Sequence, residues 1–176
     1  VMLVFVRNNE LRGGQWQEVD FKNKRWIIPA ERMKHEKMKP KPALCVPLSD
    51  WAIKLLQELH TLTGHSRFMF PSRTNINRHI SENTLGKIIN EKLGYKGRAT
   101  PHGFRAVASS LLYENNFNGG AIETQLAHVE ENKIKDSYAY QANYMPQRIE
   151  FMQWYSDYLR ERYNQALQMI QKDKAD

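Results

Sequence analysis

Cysteine is almost missing from this chain: Cys45 is the one thiol in 176 residues. That excludes an internal disulfide framework and a zinc site built on cysteine, and it fits a reducing compartment. Cys45 itself is expected to pack in an apolar strand. Long hydrophobic runs are lacking too. Nothing approaches the roughly 18 uninterrupted apolar residues of a membrane span, and the opening VMLVFV is too short for one and has no basic flank of the signal-peptide kind. A cytoplasmic location is therefore expected. The same opening starts in an apolar run with no methionine or cap before it, which predicts a fragment of a longer protein. Acidic residues are in deficit, 19 against 26 lysines and arginines, for a formal charge of +7. Such a balance suits a polyanionic partner, a nucleic acid or an anionic membrane surface. No H-E-x-x-H or similar metal-ligand spacing links His35, His60, His65, His79, His102 and His128.

What is present has the size and composition of one globular domain with 41% hydrophobic residues. WQEVD and KRWIIP read as strands around the polar turn FKN, and ALCVPLS as a third after the lysine-rich ERMKHEKMKPKP. Together they predict a small three-stranded antiparallel sheet near the amino end. The rest reads as helix. One segment is capped by Ser49 and Asp50 and ends at Gly64; another runs from Ser81 to Gly94. A third starts at Pro101, where a first-turn proline is tolerated, and runs to about Tyr113. GGAIETQLAH and NKIKDSYAY are shorter. The last, from Pro146 to about Lys172, carries a stripe of Ile149, Met152, Tyr155, Leu159, Tyr163, Leu167 and Ile170. The fold class is mainly α with a small sheet, α+β.

Within TPHGFRAVAS, His102 and Arg105 stand three apart, on neighbouring positions of a helix surface. An arginine fork suits two phosphate oxygens at once, and a histidine adds a donor or moves a proton. An isolated H-x-x-R is more often a solvated helix face. Its company changes the weighing: Arg7 with Glu10 in VRNNEL, Lys34 in the loop between strands, His128 in QLAH and Tyr138 in KDSY. Singly, these read as a surface ion pair, a solvated lysine, a helix cap and a core aromatic.

In chain order, the set Arg7, Lys34, His102, Arg105, His128, Tyr138 resembles the active site of the tyrosine recombinases, the phage-integrase family. Segments similar to those of prophage and genomic-island integrases recur in order: WIIPAERMK, VPLS, FPS, SENTL, LGY, TPHGFRA, QLAHVEENK and MQWYSDYL. The resemblance runs from Arg7 to about Leu159. It implies the DNA breaking-rejoining fold and a single catalytic domain over residues 1–176, with upstream DNA-binding domains outside this fragment. It further implies strand cleavage by a tyrosine hydroxyl, leaving a 3′-phosphotyrosyl link and a free 5′-hydroxyl. VRNNEL departs from the Arg-Pro-Gly-Glu-Leu common in relatives, keeping Arg7 and Glu10 but losing the proline turn.

Elementary chemistry agrees with these residue types. Charge builds on the non-bridging oxygens of a phosphodiester under attack, and fixed cationic donors stabilise it there. Arg7 and Arg105 fit that role, with His102 and His128 completing a cage; loss of one such donor costs roughly 3 to 4 kcal/mol in barrier. The apolar AVASSLL that follows is then expected to be the buried stripe that holds this helix rigid, with His102 and Arg105 pointing from its other side toward the phosphate. Nearby guanidinium groups favour the ionised form of a tyrosine whose reference pKa is about 10. The leaving 5′ oxygen needs a proton, for which Lys34 is the choice and Lys37, Lys39 and Lys41 are rivals. Tyr138 competes with Tyr140 and Tyr144 for the nucleophile, and its spacing from QLAH favours it. The bond energy is kept in the phosphotyrosyl link, so neither ATP, metal nor a redox cofactor is needed. Arg12, Arg32, Lys37, Lys39, Lys41, Arg73 and Arg78 are expected to grip DNA phosphates. Double-stranded DNA at an attachment core, further protomers and accessory DNA-bending proteins are the expected partners. Met152, Trp154, Tyr155 and Tyr158 admit two readings, closure of this domain's core or docking on a neighbouring protomer. Two alternatives stand beside the integrase: a basic DNA-binding module with a vestigial site, and a topoisomerase- or resolvase-like enzyme of the same chemistry.

Overall fold

The computed structural model describes residues 1–33, 42–127 and 144–173. A short helix, α1 (Asn8–Arg12), precedes three strands: β1 (Val19–Asp20), β2 (Arg25–Ile28) and β3 (Leu44–Pro47). They pair antiparallel in the order β1-β2-β3, with Trp26 opposite Val19 on one side and Val46 on the other. Alternation along β2 sends Trp26 and Ile28 inward and Arg25 and Ile27 outward, as period-two geometry requires. Half of the expected first strand is instead a tight turn, Trp16–Glu18. The cause is Glu18, whose carboxylate turns back to accept from the Gln15 backbone at 3.2 Å and the Trp26 indole at 3.0 Å. Cys45 lies half-buried opposite Ile27, and burial pushes its thiol pKa up.

Helices build the remainder. α2 (Asp50–Thr63) begins at Ser49, whose hydroxyl accepts from the Ala52 amide. The segment expected from Ser81 starts later, as α3 (Thr84–Lys87), and loosens into a π-helical turn over Ile88–Lys92 before Gly94 ends it at φ +72°. α4 (Pro101–Glu114) has Thr100 as its cap and Pro101 in its first turn. α5 (Gly119–Gln125) is capped by Asn118. The long α6 (Met145–Lys172) spans about 42 Å at 1.5 Å per residue.

The core lies where the inner face of β2 and β3 meets α4, α5 and the first half of α6. Trp26, Ile28, Leu44, Val46, Leu112, Ile122, Phe151 and Tyr155 are buried there, and Phe5 meets Tyr155 edge to face at 4.9 Å. The buried side of α6 is Arg148, Phe151, Met152, Tyr155 and Ser156. Ile149, expected on that stripe, is 49% exposed, and Tyr163, Leu167 and Ile170 are exposed too. Of the two readings for the aromatics, core closure describes the first half of the helix, where Trp154 packs on Phe117 at 5.0 Å and stacks on Tyr158. Among the described residues no helix is long and apolar enough to cross a membrane.

Candidate active site

Arg105 is the central residue of the candidate site and is buried. It shares one stripe of α4 with Ala108 and Leu112, at i, i+3 and i+7, which are also buried. The expectation that AVASSLL forms the buried stripe and Arg105 faces away from it is corrected here: Ala106 and Val107 face solvent, and the arginine points into the protein. Two backbone carbonyls from distant segments turn it inward. Nη1 donates to the Phe5 carbonyl at 2.7 Å and Nη2 to the Leu126 carbonyl. Phe5 and Ala127, at and next to these acceptors, hold left-handed backbone conformations with φ of 54° and 48°, a cost that a non-glycine residue bears only where its surroundings enforce it. Burial pushes the Arg105 pKa down to about 10, and repulsion from Arg7 adds to the shift. At neutral pH the group stays charged, and water screens that charge little.

Arg7 sits just ahead of α1. The buried Glu10 carboxylate accepts from its backbone amide at 2.7 Å and from its Nη1 at 3.2 Å. This pair is not the loose surface contact that an i, i+3 Arg-Glu spacing usually means, because Glu10 is 2% exposed. Glu10 therefore fixes the arginine and offsets part of the repulsion between Arg7 and Arg105. The Arg7 side chain remains partly accessible, 26% exposed. His102, second residue of α4, is exposed and stands three residues before Arg105 on the same helix. The fold thus joins a buried arginine, a half-exposed arginine and an exposed histidine from two segments about 100 residues apart. Lys34, His128 and Tyr138 lie outside the described residues, as do Lys37, Lys39 and Lys41.

Of the arginines expected to grip phosphate, Arg73 and Arg78 stand exposed on the loop closed by the Pro71–His79 bridge. Arg12 is half-exposed, bonded to Asn9 at 2.9 Å and near the Ile80 carbonyl at 3.4 Å. Arg32 is committed within the protein. It donates to the Gly13 carbonyl and, at 2.6 Å, to the Glu10 carbonyl, and it lies 3.2 Å from the Glu18 carboxylate. Its place is behind α1, bracing the helix that presents Arg7. Gln125 and Arg148 are among the buried polar side chains that the sequence alone did not single out. Arg148 stands in phase with Phe151, Met152 and Tyr155, and a cation in register with an apolar stripe is the signal that marks it. Among the described residues no cluster of histidine, cysteine and carboxylates has the makings of a metal site.

Comparisons with known proteins agree on kinship. The model of the phage integrase family matches residues 3–145. The integrase of Enterobacteria phage P4 is 35% identical over 98% of this chain and 42% of its own length. Prophage integrase IntA of Escherichia coli K12 is 35% identical over 90% of this chain and 37% of its own, and the integrase of Shigella phage Sf6 is 37% identical over 89% and 39%. The chain spans about two fifths of the curated relatives it matches. Among solved structures, XerA recombinase superposes with a TM-score of 0.59 at 18% identity, over 93% of this chain and 54% of that one. Tn1549 transposon integrase in complex with transposon right end DNA gives 0.62 at 16%, over 85% and 56%. At such identities the likeness is one of fold, and it agrees with the expected α+β class.

Proposed function

Because the chain belongs to the phage integrase family, we propose that residues 1–176 are the catalytic domain of a site-specific DNA recombinase that integrates or excises a prophage or genomic island. The observation that carries this reading is the meeting of Arg105 and Arg7. One side chain is buried and held by two carbonyls, and the other is half-exposed and held by Glu10. Cations fixed in place and partly withdrawn from water are the arrangement that stabilises charge gathering on a phosphodiester in its transition state.

In this reading the Tyr138 oxygen attacks the scissile phosphorus as the bond from phosphorus to the 5′ oxygen breaks. His128 takes up the phenolic proton and Lys34 gives one to the leaving 5′ oxygen. Arg7, Arg105 and His102 hold the non-bridging oxygens. A partner strand's 5′-hydroxyl then reverses the step, so atoms balance with no cofactor. The substrate is duplex DNA at an attachment core, which assigns the protein to the bacterial cytoplasm. Arg73 and Arg78 track its phosphates, other protomers fill the companion sites, and DNA-bending proteins assist assembly. Arg32 contributes by bracing α1.

The test is a nicked duplex carrying the attachment core, which traps the covalent intermediate. A protein–DNA adduct is expected with the unaltered protein, with Tyr140→Phe and with Tyr144→Phe, and none with Tyr138→Phe. An adduct that persists in Tyr138→Phe overturns the assignment. DNA binding without any adduct from the unaltered protein would leave a binding module in place of an enzyme.

A further inference from the structure

Arg148 and Gln125 are both 0% exposed and take no part in the chemistry above. Arg148 donates to the Gln125 side-chain oxygen through Nε at 3.0 Å and Nη2 at 2.7 Å, and through Nη2 to the Cys45 carbonyl in β3. The Gln125 amide in turn donates to the Val4 carbonyl at 3.3 Å. Among the described residues every acceptor that this cation meets is neutral, and its Nη1 has no hydrogen-bond partner. Replacing such a buried cluster as a whole by apolar side chains of similar size is often neutral or stabilising, so stability is a weak reason for building an arginine–glutamine pair here.

Position is a stronger one. The pair fixes Val4 and Gln125, and the next residue in each case, Phe5 and Leu126, supplies a carbonyl that clamps Arg105. One buried guanidinium, working through a glutamine and anchored on the sheet, sets the two backbone segments that hold the other. We propose that Arg148 and Gln125 are positioning residues for Arg105, locking its fork in the orientation that meets the scissile phosphate. The inference rests on the reading of Arg105 as a transition-state donor. A displacement of about 1 Å at such a donor is enough to slow the reaction by up to about 100-fold.

The experiment uses the full-length protein and single-turnover adduct formation on the nicked duplex at saturating DNA. Arg148→Met is expected to slow the adduct about 10- to 100-fold, with DNA affinity within about 2-fold. It leaves the Gln125 oxygen and the Cys45 carbonyl without a donor and lowers the melting temperature, so rates are taken well below the variant's midpoint. In an Arg105→Lys background, where the fork is already lost, Arg148→Met should add less than about a further 2-fold, because residues acting through one group are not additive. Gln125→Glu keeps an acceptor for Arg148 but loses the donor to Val4. It is expected to fold and to be slow, and it carries the test should Arg148→Met not fold. An unchanged rate in a folded variant overturns the inference, as does an equal factor in both backgrounds, which would mean a role independent of Arg105. Absence of an adduct from the unaltered protein strikes the recombinase reading itself, a separate failure.

Discussion

Replacing Arg32 by glutamine removes a cation that three groups of the protein already occupy. Its contact with Glu18 is largely dry, the side chains being 17% and 5% exposed, and its other two bonds go to the Gly13 and Glu10 carbonyls. Breaking one side of a buried pair costs about 3 to 5 kcal/mol. Arg32 is partly wet, and Glu18 keeps the Trp26 indole and the Gln15 amide, so the lower end applies, about 3 kcal/mol. At about 2 to 4 °C per kcal/mol for a chain of this size, the midpoint should fall by roughly 6 to 12 °C. Thermal unfolding of the chain followed by circular dichroism measures that shift. DNA affinity, taken as a function of salt on protein kept well below its midpoint, measures the competing role. If Arg32 instead gripped a phosphate, the midpoint would stay put and the slope of log affinity against log salt would shrink by about 0.9. That pair of results would refute the assignment of Arg32 to the support of α1.

The loop arginines should behave in the opposite way. Arg73→Gln and Arg78→Gln are each expected to reduce the salt slope by about 0.9 on any DNA sequence, with the melting midpoint unchanged; a titration at several salt concentrations decides. Gly14→Ala places a methyl against the Met69 side-chain end and 3.0 Å from both the Leu11 carbonyl oxygen and the Trp26 ring. Urea unfolding should show a loss of about 1 to 3 kcal/mol, seen as a lower midpoint with an unchanged slope.

Much of the scaffold was legible because it follows local rules. Ser49 before α2 and Pro101 opening α4 act within one turn of themselves, and the alternation of Trp26 and Ile28 with Ile27 settles which face of β2 is buried. Most of the misjudged positions depend on partners outside their own element. Glu18 bends the start of β1 into a turn by bonding Trp26, a side chain in another strand. Arg148, rather than Ile149, faces inward because Gln125 and Cys45 offer it acceptors. Period reveals that a helix has a buried side; its phase is set by tertiary partners, and a one-residue error in phase exchanges an isoleucine for an arginine. The same reason hid the direction of Arg105. Its residue type and spacing suggested the site, while its burial depends on carbonyls 100 and 21 residues away.

The carbonyl clamp on Arg105 bears on how an integrase copy decays once selection for recombination stops. Two left-handed turns, at Phe5 and Ala127, close around that guanidinium, so losing it would leave buried acceptors empty and the turns unsupported. A silent copy that still had to fold would retain Arg105 long after its chemistry had gone. His102 is exposed and free of such buried partners among the described residues, so it can be lost with much smaller damage to the fold, whereas Arg7 is tied to the buried Glu10 carboxylate. If the proposed site is right, then in a worn relative the position of His102 records whether the reaction was still being used, while Arg105 records only that the protein was still being folded.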